Sequence, residues 1–341
     1  MSVKKNIAIT YLRAMAAVSI FICHILFISG FFKTSMWFNT GVPIFFIISG
    51  FLMSQKQVVL DTAGVAKFYK SRIQKLYLPY AIYVSIVSAV LFLIRKPPDA
   101  AAFFLYLFGA AGFSPKSILG LGHLWFMSVL VICYLLTPFF QWGWEERNKK
   151  TRLAILWIVL IVQFIVFIWA GYPSYGVHIG CYTFAYFTCR GAGWTRGKKE
   201  CICWGIAALV FSAVRLVMDP IFMAADSAIY YYYDALFQPL ARFILAMWIF
   251  QMMLAGTERI EKWARSHCRL NYCMQVLSES SFEIYLTHQF IQLSVWEFLP
   301  YKNLWGRAIW VILSVFLTAV NTQMLKIICS AIKKCCKRRL N

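Results

Sequence analysis

Acidic side chains are scarce in this chain: 13 Asp and Glu stand against 34 Lys and Arg, and ionisable residues of both signs fill only 14% of the 341 positions. With 61% of residues hydrophobic, so little charge cannot clothe one soluble core. Apolar runs that repeatedly reach spanning length identify a polytopic membrane protein instead. No glycine-flanked serine elbow, GxSxG, occurs, so a serine hydrolase mechanism lacks its usual signature. Cys201 and Cys203 have one residue between them and Cys335 and Cys336 are adjacent. Neither is a zinc spacing and no histidine set accompanies them, so no metal is implied. None of the eleven cysteines falls in an expected outer loop, which speaks for free thiols. Cys335 and Cys336, beside a basic tail, are acylation candidates where such machinery exists.

The formal charge of +21 raises nucleic acid as a partner. The basic residues, however, fall in short clusters between apolar runs, where the positive-inside rule accounts for them, and nucleic acid is set aside. The expected fold is all-α, with about ten transmembrane helices near 7–28, 38–53, 76–94, 122–140, 153–170, 177–190, 201–222, 235–255, 278–298 and 307–329. An inside amino terminus puts Lys4 and Lys5, the 54–75 loop, the clusters Arg147 to Arg152 and Arg190 to Lys199, the 256–277 loop and the tail in the cytoplasm. Roughly 25 of the Lys and Arg then lie inside and about six outside, so both termini are expected to be cytoplasmic. Residues 1–330 form the transmembrane domain and 331–341 a basic cytoplasmic tail. The run 101–113 is short for a crossing and reads as a re-entrant or interfacial element. The first apolar run is too long and too unlike a cleavable signal to be removed.

Two residues stand out within the first span. Arg13 and His24 interrupt an apolar stretch from Tyr11 to Ile28, and ionisable groups there are expensive enough to be functional suspects. Eleven positions bring both to one helical face, about 16 Å apart along the axis. That geometry suits a long ligand with an anionic end and a reactive end.

Further segments follow in order: GVPIFFIISGFLM from Gly41 to Met53, KFYKSRIQKLYLPY from Lys67 to Tyr80, GHLWFMSVLVICYLLTP from Gly122 to Pro138 and SFEIYLTHQF from Ser281 to Phe290. Together with Arg13 and His24, and at membrane-length spacing, they resemble the acyltransferase-3 family, bacterial integral-membrane O-acyltransferases that modify surface glycans. The resemblance covers almost the whole chain. It implies transfer of an acyl group, usually acetyl, from an acyl coenzyme A made in the cytoplasm to a hydroxyl of a saccharide or glycan, at the bacterial inner membrane. The donor is then a substrate, no cofactor is permanently bound, and the partners are the glycan acceptor, membrane lipid and other glycan-assembly proteins. Some relatives carry an extra extracytoplasmic hydrolase-like domain, for which these residues leave no room.

The residues themselves suggest roles. His24, in the outer third of its helix, can take a proton from an attacking hydroxyl or accept the acyl group transiently; the general-base role is favoured over a merely satisfied buried histidine. Arg13, near the cytoplasmic edge, can pair with a phosphate or hold the thioester arm, its alternative being a snorkelling anchor. Lys67, Lys70, Arg72 and Lys75 bracket Phe68, Tyr69, Ile73 and Leu76, as in a helix lying on the membrane. Lys70 and Arg72 are the candidates for the coenzyme A phosphates, with a topology signal as the competing reading. Ser49 is a lesser candidate for the thioester carbonyl, and Gly50 reads as a packing residue.

His123, beside Trp125, can orient the acceptor or serve as a belt anchor. Glu283, with His288 nearby, is the candidate to orient the catalytic imidazole. Arg215 and Asp219, four apart, neutralise each other. Arg242 lacks such a partner and is expected to contact the anionic acceptor, the cofactor or Glu283. Asp219, Asp226 and Asp234 with Tyr230 to Tyr233 make an acidic, aromatic outer loop suited to sugar contact or to anchoring. The rival reading is a transporter of an acylated saccharide intermediate or small carboxylate, its charged residues lining a path.

Overall fold

The computed structural model describes residues 6–145, 147–190, 198–222, 228–298 and 303–340, with Lys149, Ala228, Phe298 and 335–340 as backbone only. No strand occurs among them. The helices in order are α1 (Ile7–Ile28), α2 (Phe32–Phe38), α3 (Gly41–Ser54), α4 (Thr62–Leu93), α5 (Ala100–Leu107), α6 (Trp125–Trp144), α7 (Lys149–Trp169) and α8 (Pro173–Cys189). They continue with α9 (Lys198–Phe222), α10 (Ala228–Tyr232), α11 (Gln238–Ala255), α12 (Thr257–Ser266), α13 (Cys268–Glu279), α14 (Ser281–Phe298) and α15 (Leu304–Leu340).

Local sequence sets the ends of several helices. Asn6 starts α1 by accepting the backbone N–H groups of Ala8 and Ile9, and Asp61 and Asn148 cap α4 and α7 in the same way. The core is built around α1, α3, α6 and α8, where Leu12, Phe46, Ile47, Val129, Cys133 and Tyr182 are fully covered. Gly50 lets α3 lie directly on α8, since a Cβ there would strike the carbonyl of Tyr182. The packing role expected of Gly50 is the one the structure shows.

By length and composition, eight segments can cross a membrane: Ile7–Ile28, Phe32–Ser54, Thr62–Leu93, Gly122–Trp144, Lys150–Trp169, Lys198–Phe222, Ile229–Ala255 and Leu304–Lys334. The other two expected spans, 177–190 and 278–298, correspond to α8 and α14, and both are helical. At 17 residues α8 is short, while α14 carries Glu283, His288, Gln289, Gln292 and Glu297. The reason for their polarity is their position: α8 packs against α3, α6, α7 and α11, and α14 against α1, α4 and α15. By contrast, α7 leaves Trp157, Ile158, Ile161 and Ile165 uncovered, as a helix facing lipid would.

One expectation on the basic segments changes. No separate surface helix spans 54–75; residues from Thr62 onward form the first half of α4, which runs on through Pro79 to Leu93. Between Thr62 and Pro79 only Gly64, in the first turn, departs from ordinary helix formers, and Phe68 is buried, so packing holds this half in line with the second. The basic segment from residue 331 to Leu340 is helical and continues α15. Lys4, Lys5 and Asp226 lie outside the described residues, as do the side chains of Cys335 and Cys336. Residues 101–113 form the eight-residue α5 and one 3-10 turn, too short to cross.

Candidate active site

Three imidazoles from distant parts of the chain meet at one end of the bundle. His24 comes from the last turns of α1, His123 from the 3-10 turn Gly122–Leu124 that opens α6, and His288 from the middle of α14. The ring centres are 6.0 Å apart for His24 and His123, 5.0 Å for His24 and His288, and 4.9 Å for His123 and His288. The turn that carries His123 is seated on α14 by Gly120, whose φ of +74° and contact with Phe290 leave no place for a side chain.

A single amide ties two of these rings together. Gln289 Oε1 accepts the backbone N–H of His123 at 3.0 Å and lies 2.5 Å from His123 Nδ1, while its Nε2 is 3.4 Å from His24 Nδ1. His123 Nε2 and His288 Nδ1 both meet the backbone carbonyl of Tyr285, each at 2.8 Å, and the Tyr285 hydroxyl donates to the carbonyl of His123. His24, His123, Gln289, Tyr285, Trp125 and Phe126 line a cavity of about 240 Å³, with Cys23, Met36 and Asn39 on its remaining wall. The cavity therefore brings an imidazole and hydrogen-bonding groups to one mostly apolar space, an arrangement suited to acyl transfer.

The cationic residues gather elsewhere, around Tyr134 of α6. Arg13 and Arg72 both act electrostatically on the Tyr134 hydroxyl, and Ser49 lies close to it. The Arg72 guanidinium lies 5.9 Å from the centre of the Tyr134 ring and 5.5 Å from that of Phe68. Lys75 stands within electrostatic range of Arg13, Arg72 and Glu283. In the adjoining loop, burial and then the charges of Arg72 and Lys75 push the Lys56 ammonium below its ordinary value. So many cations in one place suit an anionic ligand.

Arg72 and Tyr134 also line a second, largely apolar cavity of about 310 Å³, with Tyr77, Tyr80, Met127 and Leu130. The two cavities share no lining residue, and the neighbours Phe126 and Met127 of α6 line one each. Lys70, in contrast, is exposed and makes no contact with this group. Nothing in the described residues brings it to Arg13 or Tyr134.

The expected orienting carboxylate is replaced by an amide. Glu283 occupies the first turn of α14, with Oε2 buried and unpartnered, and acts on Lys75 and Cys329 rather than on His24. Five residues separate it from His288, about 7.5 Å of helix, and the group beside His24 is Gln289. Sequence reasoning missed Gln289 because a neutral amide carries no charge signal; its signal was a second polar residue directly beside His288.

Arg242 stands one layer behind the cavity wall. Its Nε donates to the Gln238 carbonyl at 3.1 Å and its guanidinium reaches the Sδ of Met36 at 4.0 Å. It forms no ion pair with Glu283 or with any other described residue. Arg215 and Asp219 do pair, at 3.6 Å and nearly fully buried, with the Tyr233 hydroxyl donating to Asp219 at 2.5 Å and the Trp37 ring against the guanidinium at 4.2 Å. His178, which the sequence did not single out, donates from Nδ1 to the Ser174 carbonyl and packs on Trp125 and Phe46.

Comparison with known families adds one finding. A family model described as an acyltransferase domain matches residues 6–322, nearly the whole chain. No curated protein and no solved structure matches.

Proposed function

Because the chain belongs to the acyltransferase-3 family of membrane acyltransferases, we propose that it moves an acyl group, acetyl in the first instance, from acyl coenzyme A to a hydroxyl of a saccharide or glycan. The observation that supports this best is the pairing of a histidine-lined cavity with a cationic cluster, joined by α1, which carries Arg13 at one end and His24 at the other. Coenzyme A presents a 3′-phosphate and a pyrophosphate, which Arg13, Arg72 and Lys75 suit by charge, with Tyr134 between the two arginines. An extended pantetheine arm is compatible with the roughly 16 Å from Arg13 to His24. The thioester then lies at the His24 cavity, where the acceptor hydroxyl attacks.

In this reading ten helices cross the membrane, α8 and α14 among them as sheltered polar spans, and both termini face the cytoplasm where the donor is made. The membrane is the bacterial inner membrane. His123 and Arg242 contact the acceptor side, His123 from within the cavity and Arg242 through Met36 and Cys23 on its wall. The roles expected of His24, general base or acyl carrier, turn on which ring nitrogen carries the proton.

The test is purified protein in lipid with radiolabelled acetyl coenzyme A and a panel of polysaccharides, comparing wild type with His24→Ala. Label entering a glycan, and lost with the imidazole, is the expected result. Absence of coenzyme A release with every acyl donor tried would favour the transporter reading.

A further inference from the structure

We propose that Gln289 is a positioning residue that places the proton of neutral His24 on Nε2, so that His24 meets the thioester as an N–H donor and not as a base. The inference rests on the reading of the His24 cavity as the site of acyl transfer. It departs from both roles suggested by the sequence, since a base and an acyl carrier each need a bare Nε2.

A backbone N–H only donates, and that of His123 points at Gln289 Oε1 from 3.0 Å. The His123 ring Nδ1 also lies 2.5 Å from this oxygen, but its Nε2 faces the Tyr285 carbonyl and a neutral ring donates to only one of the two, so the backbone N–H is what fixes the amide. Rotating the amide by half a turn would set its NH2 against the backbone N–H and abolish that bond. The oxygen is therefore held toward His123 and the NH2 toward His24, where it lies 3.4 Å from Nδ1.

An amide NH2 also only donates, so Nδ1 of His24 must offer its lone pair. A neutral imidazole with a lone pair on Nδ1 carries its hydrogen on Nε2. Nε2 is the nitrogen left to the cavity that His24 lines. The other imidazoles do not compete for this place. His123 has each ring nitrogen against a carbonyl oxygen, and His288 donates from Nδ1 to Tyr285 with Nε2 buried and unpartnered.

The chemistry that follows balances without a proton passing through His24. The acceptor oxygen forms a bond to the thioester carbon while the carbonyl electron pair moves onto oxygen, and that oxyanion takes the Nε2–H hydrogen bond. Collapse restores the carbonyl and breaks the carbon–sulfur bond, and the hydroxyl proton ends on the coenzyme A sulfur. A neutral imidazole can serve as such an electrophile, and loss of one oxyanion donor costs about 10²–10³ in rate.

Diethyl pyrocarbonate tests the tautomer directly, because it adds to an unprotonated imidazole nitrogen. The rate of His24 carbethoxylation would be followed by peptide mass spectrometry on protein in lipid, without acyl coenzyme A and with exposed His267 as internal reference. In Gln289→Glu a carboxylate accepts from both neighbours, which calls the proton to Nδ1 and bares Nε2. His24 should then react about tenfold faster than in wild type while acyl transfer falls. Gln289→Ala, which keeps no preference, should fall between the two and serves if the carboxylate disturbs folding. Rates equal to wild type, or slower, in the folded variants would overturn the inference. The readout needs no donor, so inactivity toward every acyl donor would sink the function and leave the tautomer result standing.

Discussion

The rings of His24 and His288 lie 5.0 Å apart, centre to centre, although one stands near the beginning of the chain and the other near its end. They meet because α1 and α14 are packed side by side, and hydrogen bonds lock the pair. Gln292 donates to the Phe21 carbonyl at 3.2 Å, and the Trp310 indole donates to the Gln292 carbonyl at 3.0 Å. The site is thus a seam between the first helix and α14, with α15 fastened behind it.

His24→Ala should lower acyl transfer by about 10²–10⁴-fold while expression and monodispersity stay unchanged, since its ring borders a cavity and fills no tight space. Label transferred from acetyl coenzyme A to glycan measures the first, size-exclusion chromatography the second.

Removal of the cationic cluster should act on donor affinity. Arg72→Gln should raise the KM for acyl coenzyme A about tenfold and leave kcat within a few-fold, because a charge-assisted contact to phosphate adds to binding in the ground and transition states alike. Tyr134→Phe should give a smaller rise in the same parameter. A fall in kcat at constant KM would place Arg72 in the chemical step instead.

Gly50→Ala should destabilise the bundle by about 1–3 kcal/mol, since its methyl group would press on the backbone of Tyr182. Backbone has less room to retreat than a flexible side chain. A lowered midpoint of thermal unfolding in lipid is the expected reading, with the donor KM of the remaining folded protein unchanged.

Asp219→Ala should cost about 3–5 kcal/mol, because it leaves a buried guanidinium without its counter-charge. Arg215 and Asp219 are 1% and 5% exposed, so water offers little relief. The double variant Arg215→Met with Asp219→Leu should recover most of the loss. Thermal unfolding of the three proteins side by side separates a structural pair from a residue needed for activity.

What could be read in advance depended on whether a residue broke the background. Arg13 and His24 are conspicuous because charge and imidazole rarely stand in an apolar run, and both lie on the helix that joins the two parts of the site. Arg215 and Asp219 were legible for the same reason, with helical spacing naming the partner. Gln289 and Tyr134 carry no formal charge and look like ordinary membrane residues, so only their three-dimensional neighbours reveal them. Glu283 draws attention through its charge as the candidate to orient an imidazole, yet it stands near Lys75 instead, because sequence gives position along a helix but not which neighbour faces it. The continuity of α4 was hidden by the composition change from basic to apolar near Leu76, which marks an environment boundary and not a helix end.

The polarity of α14 bears on how the molecule is made. Two glutamates, two glutamines and a histidine in 18 residues are too many for this segment to partition into a bilayer unaided. As a span it would depend on α15, the apolar helix that covers it and bonds to Gln292. The histidine seam is therefore closed only once α15, which follows α14 in the chain, has been made. A chain halted before Leu304 would already carry His24, His123 and Gln289, but would lack the Trp310 indole that fastens Gln292 from behind.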